Sequence, residues 1–269
     1  MFYTTAGVVA LAMIAPLLVT VLRSLQTGTA VTAPVSWQML RHLTLSNYAD
    51  LFSSDSLLPY LGNSLVVAMG AAIVATTSGA LAGYVFARFR FPGIDALFLF
   101  FLAIFMVPFQ ALVIPLLSLL DRLHLSNSWI GLILVHGAFA LPFCIFIMRN
   151  TFMAIPVEVE EAAQVDGAST LQTVVHVLRL LIWPGLVSGA LFAFFFSWTE
   201  FLGAVTFLSS QKLFTLPVQL LNLQLGTQGI VNYGYLESGA VVTMLPCLLL
   251  YLALQRYYVA GLVAGAVKG

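Results

Sequence analysis

Acidic side chains are scarce in this 269-residue chain, and four of its ten fall in one stretch. From Arg149 to Arg179 the sequence reads RNTFMAIPVEVEEAAQVDGASTLQTVVHVLR, with Glu158, Glu160, Glu161 and Asp166 inside it. Carboxylates beside two alanines suit recognition: small side chains permit close approach and acids meet a basic partner, so the segment is fit to dock into a groove on another protein. The competing reading is a solvated helix at a membrane interface. Other reactive side chains stand apart. Glu200 is the single acid inside an apolar span, which makes it a pathway candidate or a structural group near the outer interface. Gln110 lies between Pro108 and Pro115. His136 and His176 have no metal-ligand partners at local spacing, and His136 reads first as a satisfied buried histidine. Cys144 and Cys247 sit in apolar runs, where a thiol behaves as a small hydrophobe. A serine hydrolase would need Ser and His poised in the spans; Ser188 and His136 exist, but no Gly-x-Ser-x-Gly surrounds Ser188. No Gly-x-x-x-x-Gly-Lys-Ser/Thr loop is present to cradle phosphates, so this chain is expected to bind no cofactor or metal of its own.

The elements that hold these groups follow from composition. Apolar residues make up 61% of the chain and charged ones 7%, with ten Lys+Arg against ten Asp+Glu. A soluble domain of this size could not cover its surface with so few charges. Disorder needs low hydrophobicity, and a nucleic-acid binder needs a basic face. The chain is therefore an all-α integral membrane protein. Six stretches approach the roughly 20 apolar residues that cross a bilayer core: Ala6 to Leu22, Leu61 to Ala87, Ala96 to Leu120, Trp129 to Met148, Leu180 to Leu202, and Gly239 to Tyr258. Barrel strands would instead alternate every second residue. The first stretch lacks a basic n-region and a small-x-small cleavage pattern, so it reads as a retained helix. The organisation expected is a first helix and outer segment over 1–60, then a five-helix core over 61–269 with a cytoplasmic loop at 149–180.

Orientation rests on Lys and Arg near helix ends. With the N-terminus inside, Arg88, Arg90, Arg149, Arg179, Arg256 and Lys268 are cytoplasmic, and Arg23, Arg41, Arg122 and Lys212 lie outside. Both termini are thus expected in the cytoplasm. The outer segment from Arg23 to Tyr60 has a helix start at Ser46 or Asn47. The outer segment from Gly203 to Ser238 is too apolar for a solvated loop and predicts a re-entrant or outer-face helix. Within the acidic segment, Pro156 suits a first helical turn. The three glutamates fall where the helix dipole favours anions. Gly167 marks a left-handed stop, and Ser169 or Thr170 can cap a second helix running to about Leu180. Trp198 reads as an interfacial belt aromatic or a pathway residue. Asn63, Ser64, Thr76, Thr77 and Ser78 could line a polar route, but small polar residues also serve helix packing, the favoured reading for the last three.

Glu161-Ala162-Ala163, three residues and Gly167 resemble the EAA motif of membrane subunits of ABC importers. The family's later aliphatic position is kept by Val177, its Leu-Pro step is replaced by Arg179-Leu180, and Pro184 follows. Gly62-Asn63-Ser64-Leu65, Arg88-Phe89-Arg90-Phe91-Pro92-Gly93 and Trp198-Thr199-Glu200-Phe201-Leu202 resemble the carbohydrate-uptake branch. The tail from Gln255 to Leu262 and from Ala264 to Gly269 is similar to that of the shorter, maltose-type permease. The resemblance implies a permease subunit translocating a sugar or related polyol. It implies a second, different permease chain, two ATP-binding subunits carrying ATP and Mg, and an extracytoplasmic binding protein, in a bacterial or archaeal plasma membrane and with no nucleic acid. It makes Glu160, Glu161, Ala162, Ala163, Asp166 and Gly167 the ATPase-coupling set, and leaves Asn63, Gln110, Trp198 and Glu200 as pathway candidates. The alternative function is a stand-alone secondary transporter or channel. That would want several intramembrane acids or an inverted repeat; Glu200 stands alone and no repeat is evident.

Overall fold

A computed structural model describes residues 2–27, 40, 43–53, 57–225 and 233–266. Arg41 and Lys268, used above for orientation, and parts of both outer segments lie outside the described residues. Helices account for the regular structure in this order: α1 Phe2–Ser24, α2 Ser46–Ser53, α3 Leu58–Arg88, α4 Ile94–Phe105, α5 Phe109–Arg122, α6 Trp129–Met153, α7 Glu158–Val165, α8 Thr170–Gln172, α9 Arg179–Thr199, α10 Leu202–Phe207, α11 Leu216–Leu225 and α12 Tyr233–Ala266. No strand occurs among the described residues.

Five helices are long and apolar enough to cross a membrane, and a sixth span exists if α4 and α5 count together. The uncharged stretch from Ala96 to Leu120 was expected as one kinked span. It holds two helices meeting at 98°, which together make one broken span or form a re-entrant pair. The cause is Pro108, which takes an extended ψ of 130° ahead of α5 and has no N–H to continue α4. Four other spans, α1, α3, α6 and α12, run past the apolar stretches expected for them, whereas α9 stops at Thr199, short of the expected Leu202.

The chain divides into two compact units. One comprises Met1–Ser64 and Ser210–Leu248. Here the Asn47 amide donates to the carbonyls of Ser24 and Gln26 at 2.8 and 2.7 Å, so the first turn of α2 closes the end of α1. The Asn63 amide donates to the carbonyls of Lys212 and Phe214 at 2.9 and 2.8 Å. Ser64 Oγ accepts from the Leu216 N–H at 2.7 Å. These bonds satisfy backbone groups of the turn before α11, as burial requires.

The other unit comprises Leu65–Ser209 and Leu249–Gly269. Without a hydrophobic driving force in lipid, helices associate through close backbone approach. Gly79 and Gly83 of α3 lie against Cys144 and Met148 of α6, where an added Cβ would come to 2.5 and 2.7 Å. Gly185 of α9 meets Thr151 of α6 in the same way. Aromatic pairs fill the rest of the α6–α9 seam. Phe143 stacks on Phe192 at 3.9 Å and Phe139 on Phe196 at 5.1 Å. Cys144 is buried in this seam and Cys247 is half-buried, both as free thiols.

Candidate functional site

Two polar constellations stand out in an apolar molecule, both within the second unit. The first is the connection between α6 and α9. α6 stops at Met153, and Pro156 sits just before α7 rather than in its first turn. Glu158, Glu160 and Glu161 occupy that first turn, where free N–H groups and the dipole favour them. α7 ends as its sequence dictates. Gly167 adopts φ +88°, its N–H reaches the Gln164 carbonyl at 3.0 Å, and the Ala168 N–H reaches the Ala163 carbonyl at 3.0 Å. This pair of bonds is the Schellman closure that a left-handed glycine permits. Ser169 then caps α8 in a reciprocal box with Gln172. The chain enters α9 through a π-helical turn, Thr173–Val177. The Leu178 N–H bonds the Thr173 carbonyl at 2.9 Å, the longer-than-α spacing of such a turn.

α7 has two faces. Glu160 and Ala163 are buried and Val159 is half-buried, packed toward a core of Ala87, Met148, Phe152, Ile155, Leu178 and Ile182. Glu161, Ala162 and Asp166 are exposed, and Val165 is 88% exposed. Glu160 is not available on the outer face. Its Oε1 accepts from Arg88 Nε at 2.7 Å and its Oε2 from the Tyr84 hydroxyl at 3.0 Å. The same Arg88 donates from a terminal nitrogen to the Ile155 carbonyl at 2.9 Å. Glu161, Ala162 and Asp166 therefore present acid and small side chains outward, next to exposed apolar Val165 and Leu171. Such an exposed patch suits a protein partner.

The second constellation lies at the C-terminal end of a span helix, so Glu200, expected inside the span, caps its end instead. α9 ends at Thr199 and α10 begins at Leu202, leaving N–H groups that lipid could not satisfy. Glu200 satisfies them: both its oxygens accept from the Gly203 N–H at 2.9 Å, and Oε2 accepts from the Ala204 N–H at 3.2 Å. His136 of α6 brings Nε2 to Oε2 at 3.2 Å and Nδ1 to Ser197 Oγ at 2.8 Å. An ionised carboxylate only accepts, which places a hydrogen on Nε2. Hydroxyl, imidazole and carboxylate thus stand in line. The carboxylate is occupied as a helix cap and Ser197 is buried, so the array braces the break. The His136 partner is Ser197, not Ser188, whose hydroxyl donates to the Pro184 carbonyl at 2.8 Å.

A family described as the binding-protein-dependent transport system inner membrane component matches residues 75–263. The chain belongs to that family. It is 36% identical over 227 residues to the trehalose transport system permease protein SugB of Mycobacterium tuberculosis, covering 84% of this chain and 83% of that protein. It is 33% identical over 228 residues to the arabinooligosaccharides transport system permease protein AraQ of Halalkalibacterium halodurans, covering 84% and 80%. Its fold is that of a chain from a bacterial ABC transporter involved in the import of the acidic polysaccharide alginate. The TM-score is 0.81 with 21% identity, over 95% of this chain and 94% of the other. A chain of the MetNI methionine ABC transporter gives a TM-score of 0.58 at 20% identity, over 76% and 95%. The protein is thus a multi-pass permease subunit of an ABC importer in the plasma membrane, and its relatives are permeases rather than catalytic subunits.

In the permease, the residues singled out from sequence divide by position. Glu161, Ala162, Asp166 and Gly167 lie together on the outer side of the α6–α9 connection, with Ala163 beneath them. Asn63 is buried and pins the turn before α11. Gln110 is exposed at the start of α5. Trp198 is 1% exposed and stacks on Phe194 at 5.5 Å, inside the bundle rather than in an interfacial belt. Arg88, Tyr84 and Ser197 were not recognised as site residues. Ser197 lies three positions before Glu200, the spacing of neighbours on one helix face, which was a readable signal. The Arg88 pairing spans 72 residues and the His136 pairing 64, so no local pattern encodes either.

Proposed function

We propose that this permease couples to an ATPase subunit through the exposed face of α7 and carries a sugar or related polyol across the membrane. The docking surface is Glu161, Ala162, Asp166 and the apolar Val165, set by the Gly167 turn, with Glu160 and Ala163 holding the helix from its inner side. A second, different permease chain, two ATP-binding subunits that hydrolyse ATP with Mg, and an extracytoplasmic binding protein complete the importer. Both termini and α7 lie on the cytoplasmic side. ATP-driven closure draws the docking helices together, and the spans rock between inward-open and outward-open about a fixed route. Asn63, Trp198 and Glu200 then act on the route through the helices they hold, and exposed Gln110 faces it. Supporting the solute class are relatives named for trehalose and arabinooligosaccharide transport. The observation that carries the coupling reading is an exposed acidic, alanine-bearing face on a helix whose opposite face is anchored.

Ala162→Trp adds bulk only where a partner would touch, because Ala162 is exposed. The expected result is normal membrane insertion with loss of ATPase co-purification and of transport. Unaltered co-purification and transport would remove α7 as the docking element. For the solute, a panel of sugars, polyols and amino acids offered to the importer's own binding protein should select a sugar or polyol; selection of an amino acid overturns the solute class.

A further inference from the structure

We propose that Arg88 and Glu160 form a buried strut that fastens the docking helix to the end of α3, so that Arg88 is a positioning residue for coupling. The inference rests on α7 being the docking element. Glu160 is 3% exposed, and the ion pair is closed on both sides, with side-chain exposures of 14% and 4%. Tyr84 and Arg88 stand four residues apart on α3, hence on one face, and each takes one oxygen of the same carboxylate. A carboxylate gripped at both oxygens from one helix face cannot rotate without breaking a bond. Arg88 also reaches the Ile155 carbonyl. One guanidinium therefore holds both the α7 side chain and the backbone turn ahead of it, a two-point geometry that a lysine cannot reproduce.

Apolar and aromatic side chains collar the pair. Tyr84 packs edge-on against Phe152 at 5.2 Å and against Phe89 at 6.3 Å. Ala87, Phe152 and Ile155 belong to the apolar cluster on which Val159 rests. A buried ion pair adds little stability over an apolar pair of similar volume, but it fixes direction, which apolar contact does not. A docking role for Glu160 itself would strip Arg88 and Tyr84 of their acceptor inside this collar. Glu161, about 100° further round the helix, is free to meet a partner without that loss. Displacement of α7 is thereby transmitted to α3; with the pair gone, α7 docks but α3 does not follow.

The test uses the complete importer in proteoliposomes and measures ATPase co-purification and solute imported per ATP hydrolysed. Arg88→Lys keeps the charge and loses the two-point grip. The double variant Arg88→Met/Glu160→Met removes both charges, so neither is left orphaned and folding is spared. Both should retain the ATPase, with solute per ATP falling on the order of tenfold, the scale of ordinary coupling energies. Wild-type solute per ATP in the double variant overturns the strut. Loss of the ATPase from the double variant also overturns it, making Glu160 a docking contact. The underlying reading fails separately: Ala162→Trp with normal co-purification and transport removes the docking helix, and the strut with it. Ala162→Trp losing the ATPase while the double variant imports normally removes the strut alone.

Discussion

Glu200 works with two oxygens against four neighbours: the N–H groups of Gly203 and Ala204, the His136 ring, and through that ring Ser197. Its chemistry is that of a cap, placed where the span helix α9 ends and α10 begins. Each partner would cost roughly 1–3 kcal/mol if left unsatisfied in a dry interior. Glu200→Ala should lower the thermal midpoint of the detergent-solubilised permease clearly, and His136→Leu by less, since the cap survives the loss of the ring. Fluorescence-detected size exclusion after a temperature ramp reads both. Equal midpoints for wild type and Glu200→Ala would mean that the break is held by other contacts. Gly203 has no room to compensate, because an added Cβ would come to 2.9 Å of both Glu200 Oε2 and the Phe109 ring.

At the scale of elements, small residues decide which helices meet. Gly79 and Gly83 recur at one-turn spacing on α3 and let α6 approach until their backbones nearly touch. Gly83→Leu must drive α3 and α6 apart, an overpacking cost typically of about 1–3 kcal/mol or more. The expected outcome is insertion at normal level with aggregation on solubilisation, whereas Leu81→Ala, at a 65% exposed position of the same helix, behaves as wild type. α7 and the start of α8 were legible because their caps are local: Gly167 and Ser169 act within four residues of themselves, but the helix expected to run to about Leu180 gives way to a π turn at Thr173. The α4–α5 elbow was not, since a proline permits a bend without setting its angle.

For the whole molecule, the governing quantity is how little charge there is to place. Exposed apolar residues such as Leu11, Ile73 and Leu99 line the long helices, and none of the most apolar window of α1 is buried within the chain. Lipid or another apolar chain covers such surfaces, which a soluble protein could not afford. The orientation proposed here predicts which side each turn faces. In a background where Cys144 and Cys247 are replaced by alanine, a cysteine at Glu161 should react with a membrane-impermeant maleimide only in inside-out vesicles, and one at Lys212 only in right-side-out cells. The reversed pattern would invert the topology and detach α7 from any cytoplasmic partner.

What sequence alone determined were the properties that depend on near neighbours along the chain. Apolar run length set the spans, Gly167 and Ser169 set the turns of the α6–α9 connection, and the Glu-Ala-Ala…Gly spacing led to the family. What only tertiary structure decided were the pairings of the few polar groups: Glu160 with Arg88, Glu200 with His136, Asn63 with the turn before α11. In a low-dielectric interior each such group must find a partner, and which one it finds is set by helix packing rather than by separation in sequence.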